Sequence, residues 1–429
     1  MKRWAVVLLW SVIAAAFVGP GTVTTAAAAG ARYGLALLWT LGFSLVACWV
    51  LQEAAARLAI QSGLPLGEAL RARFSGPSGW LVRGLALGAI VLGCAAFQVG
   101  NILGAVAGLE LALAVSGLPL AIAVALCSGL LLWIGTIATL TRLLGALVAF
   151  MGVAFFLTAW RVHPPDWTWL KGLLWPALPS GAEALAVGLV GTTVVPYNLF
   201  LGSRLARGQD LGLTRLGLAV SIAVGVFISM AILVTGSAIS GAFSYRALAE
   251  ALASQLGPWA RTLFALGLFA AGFSSALTAP TAAAITARGI LARNPARWTE
   301  RSAPYRAVLF GVWAVGVLFG LLGVRPIPAI LAAQALNGVL LPIAAVFLWL
   351  SANDPALMGP ARNGLWANAL TALIVSVATM LGLQHVLSAA RTAGLWALSE
   401  AASVRIAGLM ALLVTALACW KLLSRRNRP

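Results

Sequence analysis

Twelve times between residues 4 and 423 the chain runs through about 20 or more mostly apolar residues, the length a helix needs to cross a bilayer core. No other feature restricts the fold as much, because hydrocarbon offers no partner to backbone N–H and C=O groups and each span must satisfy its own. The segments lie at 4–34, 36–60, 79–111, 118–138, 143–161, 181–205, 213–240, 259–290, 305–323, 328–351, 364–385 and 402–423. Hydrophobic residues make up 62% of the 429 and charged residues 9%, which excludes a soluble surface. The expectation is an all-α integral membrane protein of 11–12 transmembrane helices.

The charge balance supports the segment count. Lys and Arg number 28 against 10 Asp and Glu, giving +18. When connections are assigned to alternate sides, starting from a cytoplasmic N-terminus, 20 of the basic residues fall inside and 8 outside. Positive charge retained on the cytoplasmic face explains that asymmetry. It implies cytoplasmic N- and C-termini in a bacterial inner (plasma) membrane, with the lipid bilayer as partner. A soluble basic face interleaved with aromatics is missing, which excludes a nucleic-acid partner. The Lys2-Arg3 start and the small residues Ala26 to Ala29 resemble a signal peptide, but the run leads straight into the apolar array and contains a Pro-Gly pair. Four single cysteines, Cys48, Cys94, Cys127 and Cys419, lack metal-ligand spacing and read as small buried hydrophobes. The external stretch with Trp160, Trp167, Trp169 and Trp175 reads as interfacial.

Two of the segments cannot be continuous helices. Gly19-Pro20-Gly21-Thr22 interrupts the first and Val195-Pro196-Tyr197-Asn198 the sixth, since proline removes a backbone donor and crowds the preceding turn. Breaks in segments 1 and 6 divide the first ten segments as five plus five, and the odd number inverts the second half. Such inverted repeats with broken helices mark a transport site at the bilayer midplane. The expected division is a transporter core over residues 1–351, with repeats at about 4–161 and 181–351. Two further helices and a basic tail would occupy 352–429.

Freed backbone groups at the breaks must line a cavity or be buried in protein. Candidate side chains around them are Thr22, Thr24, Thr25, Thr192, Thr193, Tyr197 and Asn198, joined by Gln98 and Asn101, Ser274, Ser275 and Thr278, and Gln334 and Asn337. Hydrogen bonds to their own or neighbouring helices would account for the hydroxyls. Tyr197, Asn198 and Gln334 are expected to face the cavity. All of these are neutral. Among the acids, Glu53 pairs in sequence with Arg57 at i+4, and Glu183 opens the sixth segment as a capping carboxylate. His163 and His385 fall in or beside external connections. Gly100, Gly104 and Gly108 form a small-residue stripe suited to close helix packing. Nothing resembles a nucleophile-base pair or a phosphate loop, and neither an enzyme nor a cofactor is expected.

At these breaks the chain resembles the natural resistance-associated macrophage protein family of divalent-metal transporters, whose fold is of the leucine-transporter type. That family carries Asp-Pro-Gly-Asn in its first broken helix and Met-Pro-His-Asn in its sixth. The likeness extends through Gln52-Glu53-Ala54-Ala55-Ala56-Arg57-Leu58, through Leu266 to Thr281, and to Gln334 and Leu341-Pro342. The resemblance implies metal ligands at positions 19, 22 and 195, a carbonyl near Thr192, and Gln334. Here the family's Asp is Gly19, its Asn is Thr22, its Met is Val195, its His is Tyr197, and an acid of segment 3 aligns with Gln98. The thioether that favours transition metals and the anchoring carboxylate are both missing. The reading is a secondary transporter working by alternating access, with Thr22, Thr192, Asn198 and Gln334 holding a hydrated, Mg²⁺-like dication through its waters. A transporter of a small neutral or zwitterionic organic solute is the alternative, and a coupling proton is implied by the resemblance alone.

Overall fold

The computed structural model describes residues 18–76, 79–113, 115, 117–135, 138–162, 166–292, 294, 297–395 and 399–426. The first half of segment 1, the Lys2-Arg3 start of the signal-like stretch, and His163 lie outside them. Among the described residues the chain is helical, and every one of the twelve segments is represented.

The second half of segment 1 is α1 (Pro20–Tyr33) and segment 2 is α2 (Leu38–Ser62), followed by a short connecting helix, α3 (Leu66–Arg73). Segments 3 to 5 are α4 (Gly79–Leu113), α5 (Leu118–Ile134) and α6 (Ala138–Val162), and α7 (Trp167–Leu174) lies in the tryptophan-rich connection. Segment 6 is split into α8 (Glu183–Thr193) and α9 (Pro196–Ala206), as its proline requires. Segment 7 is α10 (Leu211–Gly236), α11 (Tyr245–Leu256) connects it onward, and segment 8 is α12 (Trp259–Leu291). The remainder are α13 (Ala303–Leu321), α14 (Pro326–Ala352), α15 (Leu365–Thr392) and α16 (Glu400–Arg426). Ten spans, counting α8 and α9 as one, are long and apolar enough to cross a membrane. α5 is a shorter apolar helix, and α1 is what is described of the first span.

Contacts between connections test the alternation of ends. At one end Leu66 N–H donates to Ser203 Oγ (3.0 Å), Arg71 reaches the Gly289 and Ala292 carbonyls, and Arg73 pairs with Asp354. These are the connections after segments 2, 6, 8 and 10. At the other end Trp39 Nε1 donates to the Ala177 carbonyl (2.7 Å) and Arg161 reaches the Gln255 carbonyl. Adding or removing a segment between these contacts would place joined connections on opposite ends.

Small residues let the helices that carry the breaks sit deep in the bundle. A Cβ on Gly104 of α4 would overlap the Pro20 ring, and one on Gly108 would meet the α12 backbone at the Ala265 carbonyl (2.8 Å). Gly30 faces the Leu233 carbonyl of α10, and Gly236 returns the contact against Ala27 of α1 (2.7 Å to Cα). Gly191 of α8 and Gly338 of α14 likewise leave no room for a side chain between their backbones. The glycine stripe of segment 3 thus positions helices, as the spacing suggests.

Three expectations need correction. α15 does not stop at residue 385 but runs to Thr392, because no Gly or Pro intervenes before Gly394; His385 is therefore half-buried inside a span. Cys127 is exposed and Cys419 only partly covered, because both lie on peripheral helices with a lipid-facing side. The helix N-cap before Glu183 is Ala182, so Glu183 is the buried first residue of α8 rather than its cap.

Candidate functional site

The start of α1 and the break between α8 and α9 meet in space. Gly19 precedes α1 as its N-cap with φ −94° and ψ 176°, and Pro20 occupies the first turn, where its missing N–H is harmless. α8 ends at Thr193, Val194 and Val195 are extended or irregular, and Pro196 restarts the helix as α9. Because Pro196 has no N–H, the Thr192 carbonyl has no i+4 donor within the helix. Across the breaks the Thr22 and Thr192 hydroxyls hydrogen-bond at 2.9 Å, tying α1 to α8 in a buried position.

Two side-chain amides flank that pair. Asn198, in the first turn of α9, is fully buried with neither Oδ1 nor Nδ2 partnered, and Gln334 of α14 is fully buried with neither Oε1 nor Nε2 partnered. Gln334 lies against α1: a Cβ on Gly21 would collide with its amide, and one on Gly100 of α4 would stand 3.8 Å from its Nε2. Such groups cost about 1–3 kcal/mol each when buried without a partner. Gln52 of α2 is likewise buried with neither amide atom partnered, so what sets Asn198 and Gln334 apart is their place on the helices that form the paired break or pack against it.

The other candidates divide by what they already bond. Gln98 donates Nε2 to the Ala276 carbonyl (3.0 Å) and accepts weakly from Asn101 Nδ2 (3.4 Å), so it ties α4 to α12. Asn337 donates to Ala333 (2.9 Å) and Gly93 (3.3 Å), leaving only Oδ1 unpartnered. Tyr197 is buried with its ring edge-on against Phe97, centroids 5.5 Å apart at 85°. Thr193, Ser274 and Thr278 bond to carbonyls of their own helices. Val195 is buried, and its carbonyl accepts from Asn198 N–H (3.1 Å). Among the described residues a side chain at Gly19 would have ordinary room, with Ser275 Oγ 3.6 Å from its Cβ position. Among the described residues no group of three or more His, Cys, Asp or Glu is placed to hold a metal ion.

One contact escaped sequence reasoning. Tyr245, from the connecting helix α11, hydrogen-bonds Thr24 at 2.7 Å, two residues along α1 from Thr22. Burial pushes its phenol above the ordinary tyrosine range, and the Thr24 bond opposes that shift. No local motif announces this contact, since the partners are separated by 221 positions.

A helix broken at Val194 and Val195, beside a second that starts at Pro20, both packed by glycines into a bundle of long spans, define a membrane transporter of the leucine-transporter fold type. The whole chain superposes on a manganese transporter of Eremococcus coleocola, crystallised as a single-residue variant, with a TM-score of 0.67; the match covers 99% of this chain and 95% of that one at 21% identity, and shows that the fold is shared. The chain belongs to the Nramp family, "Natural resistance-associated macrophage protein-like", whose profile matches residues 11–388. Relatives include the "Divalent metal cation transporter MntH" of Ralstonia nicotianae, 30% identical with 86% of this chain and 88% of that protein covered. The protein of the same name from Pectobacterium carotovorum is 27% identical, with 87% and 91% covered. Membership in a family of transporters sets enzyme function aside.

Proposed function

We propose that the chain carries a divalent metal cation across the membrane and favours a hydrated, Mg²⁺-like ion over Mn²⁺ or Fe²⁺. The supporting observation is the neutral donor set: the unpartnered amides of Asn198 and Gln334, flanking the Thr22–Thr192 hydroxyl pair and the Thr192 carbonyl. Stripping a dication of water among neutral groups in a low-dielectric site is prohibitively unfavourable. Mg²⁺ gives up its waters reluctantly and accepts oxygen donors through them. A bare transition-metal ion needs the carboxylate and thioether that Gly19 and Val195 do not supply.

Movement follows from which helices are joined. Thr22 and Thr192 couple α1 to α8, and Gly30 and Gly236 couple α1 to α10. In this reading these helices rock around the breaks to open the site alternately to each side. Residues 1–351 form the transporter core, with repeats at about 4–161 and 181–351, and 352–429 supply two appended helices. The basic end is cytoplasmic, in a bacterial inner membrane. The breaks present no carboxylate or imidazole among the described residues, so the reading includes no obligatory proton carrier there.

Uptake into proteoliposomes tests this with chelator-sensitive dyes. Mg²⁺ flux that excess Mn²⁺ fails to block supports the reading. Transport of neither ion, with accumulation of a zwitterionic solute that ignores chelators, would replace it with the organic-solute alternative.

A further inference from the structure

A cavity of about 590 Å³ lies far along the chain from the helix breaks, where the end of α14, the start of α15 and the second half of α16 converge. Its volume falls within the range of small-molecule sites. The lining combines polar side chains, Arg73, Asp354, Arg362, Asn353, Asn363 and Asn368, with apolar ones, Leu365, Cys419 and Leu422 among them.

The polar lining is built rather than incidental. Asn368 accepts from Trp349 Nε1 (2.8 Å) and Asn353 Nδ2 (2.9 Å), and returns a bond to Asn353 Oδ1 (3.1 Å). Arg73, its side chain 2% exposed, is paired with Asp354, so those two charges offset each other. Arg362 spends Nε on the Gly359 carbonyl (3.1 Å) and sits exposed, with its guanidinium adding net positive charge to a rim that has no carboxylate besides Asp354. The first N–H groups of the 28-residue α15, behind Gly364 without a side-chain cap, add the positive end of a helix dipole. Leu365 and Trp366 are 82% and 81% exposed at that same level, the amphipathic pattern of the interfacial zone.

We infer that this crevice binds an anionic phospholipid, its phosphate against Arg362 and the start of α15 and its acyl chains along Leu365, Cys419 and Leu422. A phosphate group matches the net positive rim. Leu365, Cys419 and Leu422, on helices that also expose Leu373, Leu413 and Leu417, suit an acyl chain and not a soluble ion. A zwitterionic lipid would bring its ammonium to Arg362 with no carboxylate to receive it beyond Asp354, already held by Arg73. Basic crevices between spans at headgroup level take anionic headgroups in this way.

The test is native mass spectrometry of the full chain released from membranes of equimolar phosphatidylglycerol and phosphatidylethanolamine. The parent retains phosphatidylglycerol about fivefold over phosphatidylethanolamine, the preference one basic residue provides at a membrane surface. Arg362→Ala abolishes the preference, and Ala369→Trp, placed on the exposed lining, lowers retention of both lipids. Equal retention by the parent overturns the inference, as does a preference that survives Arg362→Ala. Loss of bound lipid when inorganic phosphate is added in excess also overturns it, since the occupant would then be a soluble phosphate. Should Ala369→Trp fail to fold, Arg362→Ala decides alone, because that side chain is exposed.

Discussion

Two buried polar regions of this protein handle their groups in opposite ways. At one end of the bundle, the Glu53, Arg57 and Arg215 charges are engaged with one another. Glu53 accepts from Arg57 Nε (3.0 Å) and from Arg215 (2.7 Å), while Arg57 reaches the Ala361 carbonyl and Asn363 Oδ1 (2.6 Å). At the helix breaks none of the described residues is charged, and the amides of Asn198 and Gln334 are unpartnered. The Glu53 cluster is structure: its carboxylate finds its partners within the protein. The second retains bonding capacity that folding alone leaves unused, and this is what a binding site requires.

Stability should separate the two most sharply. Glu53→Gln leaves Arg57 buried beside a neutral partner and should lower stability by about 3–5 kcal/mol, read as a fall in unfolding temperature of the detergent-solubilised protein. Asn198→Ala and Gln334→Ala should do the reverse, cutting cation uptake at least tenfold, or about 1.4 kcal/mol, with the unfolding temperature unchanged or raised. A stability loss there matching that of Glu53→Gln would mean the amides are ordinary core groups.

Gly21→Ala sharpens the contrast further. The new methyl would collide with the flexible end of Gln334 and not with backbone, so the fold should survive while the amide is pushed out of place. Uptake should fall severalfold, and pairing the change with Gln334→Ala should add little beyond either alone. The smallest effect is expected at Tyr245→Phe, which removes one bond to Thr24 for about 1 kcal/mol. The Tyr245 phenol has a raised pKa in the folded protein, so its contribution is complete below the unfolded value near 10 and is lost only as pH rises through the higher folded value. The stability difference between parent and Tyr245→Phe should therefore stay flat from about pH 6 to 9.

Much of the architecture was legible because lipid imposes local rules. Span length, Pro196 inside an apolar run and the positive charges each act within one segment, and the contacts of Arg71, Arg73 and Ser203 confirm the resulting alternation of ends. The site was legible only as a candidate set. Gln98 looked as available as Gln334 in one dimension, and only the fold gives it the Ala276 carbonyl while leaving Gln334 unpartnered. The Tyr245–Thr24 bond and the Asn368 network join side chains that no periodicity relates. The end of α15 was misplaced because apolarity fades at His385 while helix-forming residues continue.

The central claim is that the neutral character of the breaks determines which ion is accepted, and Gly19 is where it can be tested most directly. The backbone there has an ordinary φ of −94°, and among the described residues the nearest atom to the Cβ position is Ser275 Oγ at 3.6 Å, so Gly19→Asp meets no clash there. The measurement is the ratio of Mn²⁺ to Mg²⁺ uptake in proteoliposomes containing the parent or Gly19→Asp. The account predicts a ratio below one for the parent and a rise of at least tenfold in the variant, as a carboxylate compensates for lost water. A parent that already prefers Mn²⁺, or a ratio indifferent to the new carboxylate, would contradict it.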